Sequence, residues 1–323
     1  MLDLHRLRLL KEFAERGTIA ATAAALGYTP SAVSQQLAVL EREAGTALLD
    51  RTARSAELTD AGRRLTAHAE RILAQVEEAE ADLSVHAREP SGRVSVAAFP
   101  TAAAAFAPAL ARSLRAHPGL TLLLRQTQRA EGLRQVSSAE VDVALVDDWS
   151  GGLGSTGVAS TGSAGTESPL LRFYPLVRDP LVLVVPRGHR LADPAEPVDL
   201  RQLRETSRWM AAPAGEPSRQ AVDRLLAGVG GAPPVPWEFE GLGTILSLVA
   251  RGIGIAAVPR LALAAGDARV AVRELPEGSP AREVYAVART ASVRRPSVAV
   301  ILTALHDGAE HLPGRGGRSR AVP

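Results

Sequence analysis

Apolar and polar positions alternate in several distinct registers along the chain. Leu4, Leu7, Leu10 and Phe13 recur at helical spacing, and Gly17 closes that run. A second short helix is expected from Ile19 to Leu26, where Ala20, Ala23 and Ala24 form a small-residue packing face. Gly27 and Tyr28 turn the chain. Thr29 then caps a third helix running to about Glu43, with Pro30 at its first position, where the missing N–H costs nothing. On that helix Val33, Leu37, Leu40 and Ala44 make one stripe. Ser31, Gln35, Ala38 and Arg42 make the opposite one, with Ser34 at its border. Leu48 to Leu58 reads as two short strands around a turn that carries Arg51 and Arg54. Beyond it Thr59 caps a long helix in which Leu65, Ala69, Ile72, Val76, Ala79 and Leu83 recur at alternating four- and three-residue steps, a heptad seam.

Pro90-Ser91-Gly92 breaks this helix and makes a hinge. Thereafter strand and helix patterns alternate. Strands are expected at Val94–Phe99, Leu120–Arg125, Val141–Val146, Leu181–Val185, Val235–Phe239, Ile253–Val258 and Val284–Val287. Helices are expected after Thr101 and near Leu133, Gln220 and Thr244. The pattern divides the chain into a head over 1–58, a linker helix over 59–89, an α/β region over 92–306 and a disordered Gly/Arg-rich tail over 307–323. Within the α/β region the chain leaves one sheet and returns to it. That predicts two lobes, one of about 92–176 and 275–306, the other of about 177–274. Gly151 to Ser168 is a Gly/Ser/Thr tract without periodicity, expected to be an inert surface insertion.

Composition narrows the classes. A length of 323 residues exceeds one ordinary domain, and 46% apolar residues suffice for real cores. No cysteine occurs, which excludes disulfide frameworks, thiolate zinc sites and thiol nucleophiles. The first residues mix Asp3, Arg6, Arg8, Lys11 and Glu12 with leucines and do not form a signal peptide, and no stretch reaches the ~18 apolar residues of a membrane span. A cytoplasmic protein without a membrane partner is expected. The net charge of +2 does not by itself mark a nucleic-acid binder.

The third helix carries the first chemistry. Its outward face is short, polar and largely uncharged, suited to a major groove where Gln pairs with adenine and an Ala methyl meets a thymine methyl. An ordinary solvated face would carry more Lys and Glu. The two arginines of the following turn suit a wing that grips phosphate.

The run AATAAALGYTPSAVSQQLAVLEREAGTALLDRTARSAELTDAGRRL resembles the N-terminal signature of LysR-type transcriptional regulators. Its small-residue helix is followed by L-x-x-(S/T)-x-x-A-V-S, then L-E-x-x-x-G, then a wing ending in L-T-x-A-G. The family often has Phe where this chain has Leu49, and usually a polar residue at Pro30. LVLVVPRGHRLA and ILSLVARGIGIAAVP resemble the effector-binding domain of the same family, related in fold to periplasmic binding proteins.

The resemblance implies an N-terminal all-α winged helix-turn-helix with a linker helix and a C-terminal α/β two-lobed effector domain. It implies double-stranded DNA and a small-molecule effector as partners, with assembly as a homodimer or homotetramer. On that pattern Thr29, Pro30, Ser31, Ser34, Gln35, Arg51 and Arg54 face DNA, and the outward stripe of the third helix adds Ala38. Leu65, Ile72, Val76 and Leu83 dimerise the linker.

In a two-lobed sheet the ligand sits at strand C-terminal ends and helix N-termini. That selects Pro100, Thr101, Ala102, Asp147, Trp149, Gly215, Ser218 and Gly241 for the effector. Thr101 either faces the cleft or simply caps its helix. No catalytic residue, metal site or cofactor is expected: HExxH, the phosphate-binding G-x-x-x-x-G-K-(S/T) and G-x-S-x-G are all missing, and His189 reads as a solvated or structural loop residue.

Overall fold

The structure, a computed structural model, describes residues 1–51, 56–85, 90–150, 170–233, 235, 237–264 and 269–312. The chain divides into two compact units. The first comprises Met1–Glu89 with the short pieces Ser138–Glu140 and Thr290–Pro296, and the second holds the remainder.

The first unit opens with α1 (Leu4–Arg16), α2 (Ile19–Leu26) and α3 (Pro30–Ala44). Each begins at a side chain that satisfies a free helix N–H: Asp3 accepts from Arg6, Thr18 from Ala21 and Thr29 from Ala32. Gly27 ends α2 at a φ of 71°, a left-handed turn that glycine enters freely, and this sets α3 across α2. The apolar stripes converge on one core of Leu7, Leu10, Phe13, Val33, Leu37, Leu40, Leu48 and Leu49. Two short antiparallel strands follow, β1 (Leu49–Arg51) and β2 (Ala56–Leu58). Thr59 Oγ1 then accepts from Gly62 and opens α4 (Asp60–Val85). A side chain at Gly62 would collide with the Leu48 carbonyl oxygen, so the glycine permits α4 to pass directly against the start of the wing.

The second unit begins with β3 (Gly92–Ala98), α5 (Pro100–Ala116), β4 (Leu120–Gln126), α6 (Arg129–Ser137) and β5 (Val143–Asp148). After β6 (Leu171–Pro186) come α7 (Leu200–Thr206), β7 (Met210–Ala211), α8 (Pro217–Ala227), β8 (Trp237–Glu238), α9 (Leu242–Ala250) and β9 (Ala256–Pro259). The unit closes with β10 (Val270–Glu274), β11 (Ala281–Arg289) and α10 (Pro296–Glu310).

The long strand β6 belongs to two sheets. Its residues Leu171 to Pro180 pair with β11, which continues to β5, β3 and β4. Its residues Leu181 to Pro186 pair with β9 on one side and β10 on the other. β3 runs parallel to both β4 and β5, so the order of the first sheet reverses at the C-terminal end of β3.

Several expectations need correction. The strand expected at Leu181–Val185 is only the second half of β6. Its first half contains Pro175 and Pro180, which argue against a strand in sequence, yet that half pairs on one side alone and leaves an edge where proline is tolerated. The strand expected at Val235–Phe239 shrinks to Trp237–Glu238, and that expected at Ile253–Val258 is Ala256–Pro259. Residues 307–310, expected to belong to the tail, are part of α10, which runs to Glu310 with Ala309 fully buried. The insertion 151–168 and the chain beyond 312 lie outside the described residues.

Candidate functional site

In the head, α2, its turn and α3 hold the polar stripe of α3 outward. Thr29, Pro30, Ser31 and Gln35 are exposed, whereas Ser34 and Ala38 are half-buried. The Thr29 hydroxyl lies 3.0 Å from that of Ser31 and also caps α3. Arg51 stands on β1, paired through its backbone with Ala56. Arg54 lies outside the described residues, as does the side chain of Arg51.

Two acidic residues of α3 brace this arrangement. Glu43 takes a two-pronged bond from Arg6 of α1, at 3.0 and 2.5 Å. Glu41 Oε1 accepts the backbone N–H groups of both Leu48 and Leu49, each at 2.9 Å, and so ties the start of the wing to α3. The sequence reading passed over this role, although Glu41 stands within the L-E-x-x-x-G element.

On α4 the heptad seam divides. Leu65, half-buried, packs on the head's own core beside the fully buried Ala69. The first turns of α4 lie against α1 and beside β2. Ile72 is 38% exposed and Val76 half-buried. The Leu83 side chain lies outside the described residues.

In the second unit, the ends of β3 and β5 flank the reversal point of the sheet, and the residues there converge on a side chain that the sequence reading missed. Arg282 of β11 is 4% exposed. Its Nε donates to Asp179 Oδ2 at 2.8 Å, its Nη1 to Asp147 Oδ2 at 3.0 Å and its Nη2 to Thr101 Oγ1 at 2.7 Å. The guanidinium carbon stands 4.7 Å from the Phe99 ring centroid and 5.6 Å from that of Trp149. Trp149 Nε1 also donates to Asp147 Oδ2, at 3.1 Å.

Asp179 accepts a further bond from the Leu261 N–H at 2.9 Å. Burial pushes the Asp179 carboxyl above the ordinary carboxylate value, against the opposing pull of Arg282. The neighbouring Asp148 is spoken for by Arg129 at 3.2 Å and by the Ser150 N–H and hydroxyl.

Thr101, Asp147 and Trp149 are therefore brought together, and Pro100 lies exposed beside them. Ala102 is 0% exposed, so its methyl is core rather than site surface, a correction forced by the inward turn of α5 against its sheet. Gly215, Ser218 and Gly241 sit on the other sheet's helices, at the loop before α8, on α8 and at the N-cap of α9. None of the bonds among the described residues joins them to Arg282. A signal for Arg282 was present in the sequence. It falls in phase with Val284, Ala286 and Ala288 on a buried strand, where an arginine survives only with partners.

These features are those of a DNA-reading head joined to a ligand-sensing domain, and comparison with known proteins agrees. The model of the bacterial regulatory helix-turn-helix protein, lysR family, matches residues 4–63, and that of the LysR substrate binding domain matches residues 87–310. The chain is 32% identical over 261 residues to an HTH-type transcriptional regulator of Mycobacterium tuberculosis, covering 78% of each protein. It is 29% identical over 327 residues to the HTH-type transcriptional regulator CbbR of Xanthobacter flavus, covering 98% of this chain and 92% of CbbR.

Among solved structures, a full-length OxyR variant from Pseudomonas aeruginosa shares the fold with a TM-score of 0.64 at 18% identity, over 97% of this chain and 96% of that one. CbnR, a LysR family transcriptional regulator, does so with a TM-score of 0.51 at 22% identity, over 94% of this chain and all 100% of CbnR. The protein belongs to the LysR family: it is a DNA-binding transcriptional regulator with a C-terminal effector-binding domain. No described helix is long and apolar enough to cross a membrane.

Proposed function

We propose that this regulator reads its operator with Ser31, Ser34, Gln35 and Ala38 of α3, steadied by Thr29, Pro30 and the wing arginines Arg51 and Arg54. We further propose that it answers to an effector bound around Thr101, Asp147, Trp149 and Arg282. The observation that carries the reading is the largely uncharged, outward face of α3 beside a wing anchored to that same helix by Glu41. The protein acts in the cytoplasm, as a homodimer or a dimer of dimers, and performs no catalysis of its own. The reading is supported by a sequence without HExxH, G-x-x-x-x-G-K-(S/T) or G-x-S-x-G. Effector binding shifts the balance between two arrangements of the dimer, and only a difference in affinity for the two drives that shift.

The test is footprinting of the purified protein on the DNA upstream of its own gene, with a salt titration and an unrelated duplex as control. A protected dyad with half-sites about one helical turn apart and clear preference over the control is the expected result. Equal binding to both duplexes at every salt concentration would overturn sequence-specific reading at this operator.

A further inference from the structure

The bonds around Arg282 specify the chemistry of the ligand. Arg282 and Asp179 form a fixed pair, with side chains 5% and 1% exposed, and together they are neutral. Outside that pair two features of opposite sign stand side by side. One is Asp147, whose side chain is 16% exposed. Its Oδ2 takes the bonds from Arg282 and Trp149, and among the described residues its second oxygen accepts none.

The other is the start of α5. There the first helical bond runs from the Ala103 N–H to the Phe99 carbonyl, so the N–H of the half-buried Thr101 has no partner within the helix. The two features are held together because Nη1 and Nη2 of one guanidinium reach Asp147 and Thr101.

We propose that the ligand is a small zwitterion carrying an ammonium and a carboxylate on one carbon, an α-amino acid or a close analogue. Its ammonium pairs with Asp147, and its carboxylate takes the Thr101 end of α5 together with Arg282. A dicarboxylate would set a second negative group against Asp147, and a simple amine would face the positive end of α5, so each matches only half of the site. This assignment rests on the regulator reading and deepens it.

Binding exchanges the bonds of Arg282 to Thr101 and Asp147 for bonds to the ligand and leaves its bond to Asp179 in place. Asp179 also holds the Leu261 N–H, in the short turn after β9. The exchange at Arg282 is thereby passed from the sheet that contains β5 to the segment that follows the other sheet.

The test uses the full-length protein, thermal denaturation and titration calorimetry. The probes are every proteinogenic amino acid, each with the matched amine lacking the carboxylate and the matched acid lacking the amine. At least one amino acid is expected to raise Tm saturably, by on the order of 5 °C at a hundredfold excess over Kd, while its two halves do not. Asp147→Asn, checked for native circular dichroism, is expected to weaken that binding about tenfold or more, and Thr101→Val to weaken it less.

Three outcomes overturn the assignment: no amino acid binds, an amine or dicarboxylate binds where no amino acid does, or Asp147→Asn leaves the affinity unchanged. Footprinting of the same preparation separates this failure from that of the regulator reading. Intact operator binding alongside any of the three outcomes sinks the ligand class alone.

Discussion

Arg282 and Asp179 are the most exposed to substitution of all the charged residues discussed, because neither charge has water to fall back on. Arg282→Ala strands the Asp179 carboxylate in the interior, and removal of one partner of such a pair costs about 3–5 kcal/mol. We expect a corresponding drop in urea-denaturation midpoint, and expect the double variant Arg282→Met with Asp179→Leu to recover most of it. A gentler dependence belongs to His189, whose Nδ1 accepts the Leu191 N–H at 3.2 Å, a bond available only to the neutral ring. Burial, aided by nearby Arg190, lowers its pKa below the ordinary 6.5. The unfolded chain therefore takes up the proton first. The His189 contribution to stability is complete above pH 6.5 and falls as the pH drops from 6.5 to the lowered native value. Denaturation midpoints of His189→Asn, measured across that window, are expected to decline less steeply than those of the wild type.

At the scale of elements, the wing and the recognition helix act as one body through Glu41. Glu41→Ala removes the shared acceptor of the Leu48 and Leu49 N–H groups and frees β1 from α3. Operator affinity is expected to fall, and the slope of log K against log salt to flatten by about one for each phosphate contact the wing loses. Glu41→Gln keeps a carbonyl oxygen in place and is expected to restore most of the affinity. A purely stabilising role for Glu41 would lower affinity without changing the slope. Gly62 serves the same junction from the other side, since any side chain there meets the Leu48 carbonyl.

For the whole molecule, α4 has 26 residues and spans about 39 Å at 1.5 Å per residue, too long to be covered by the head alone. Its first turns pack there through Ala61, Leu65 and Ala69, and further along Arg294 of the same unit comes within 3.8 Å of Glu78. We expect the exposed Ile72 and the half-buried Val76 to meet a second copy. Ile72→Asp is expected to shift the protein to monomer in sedimentation velocity and to weaken operator binding at least tenfold, while the head keeps its helical content. An unchanged sedimentation coefficient would place the dimer contact elsewhere.

Local pattern alone determined a large part of this protein. The three helices of the head, the caps at Thr29 and Thr59, the wing strands and the family follow from spacings of a few residues, and such short-range features are written directly in the order of side chains. Tertiary structure decided the rest, for reasons of distance along the chain. Arg282 lies 103 residues from Asp179, 135 from Asp147 and 181 from Thr101, so no periodicity joins them. The continuity of β6 through Pro175 and Pro180 depends on which of its sides goes unpaired. The division of the linker seam at Leu65 depends on what the head leaves uncovered. In each case the deciding quantity is the company a residue keeps after folding, which a one-dimensional pattern does not contain.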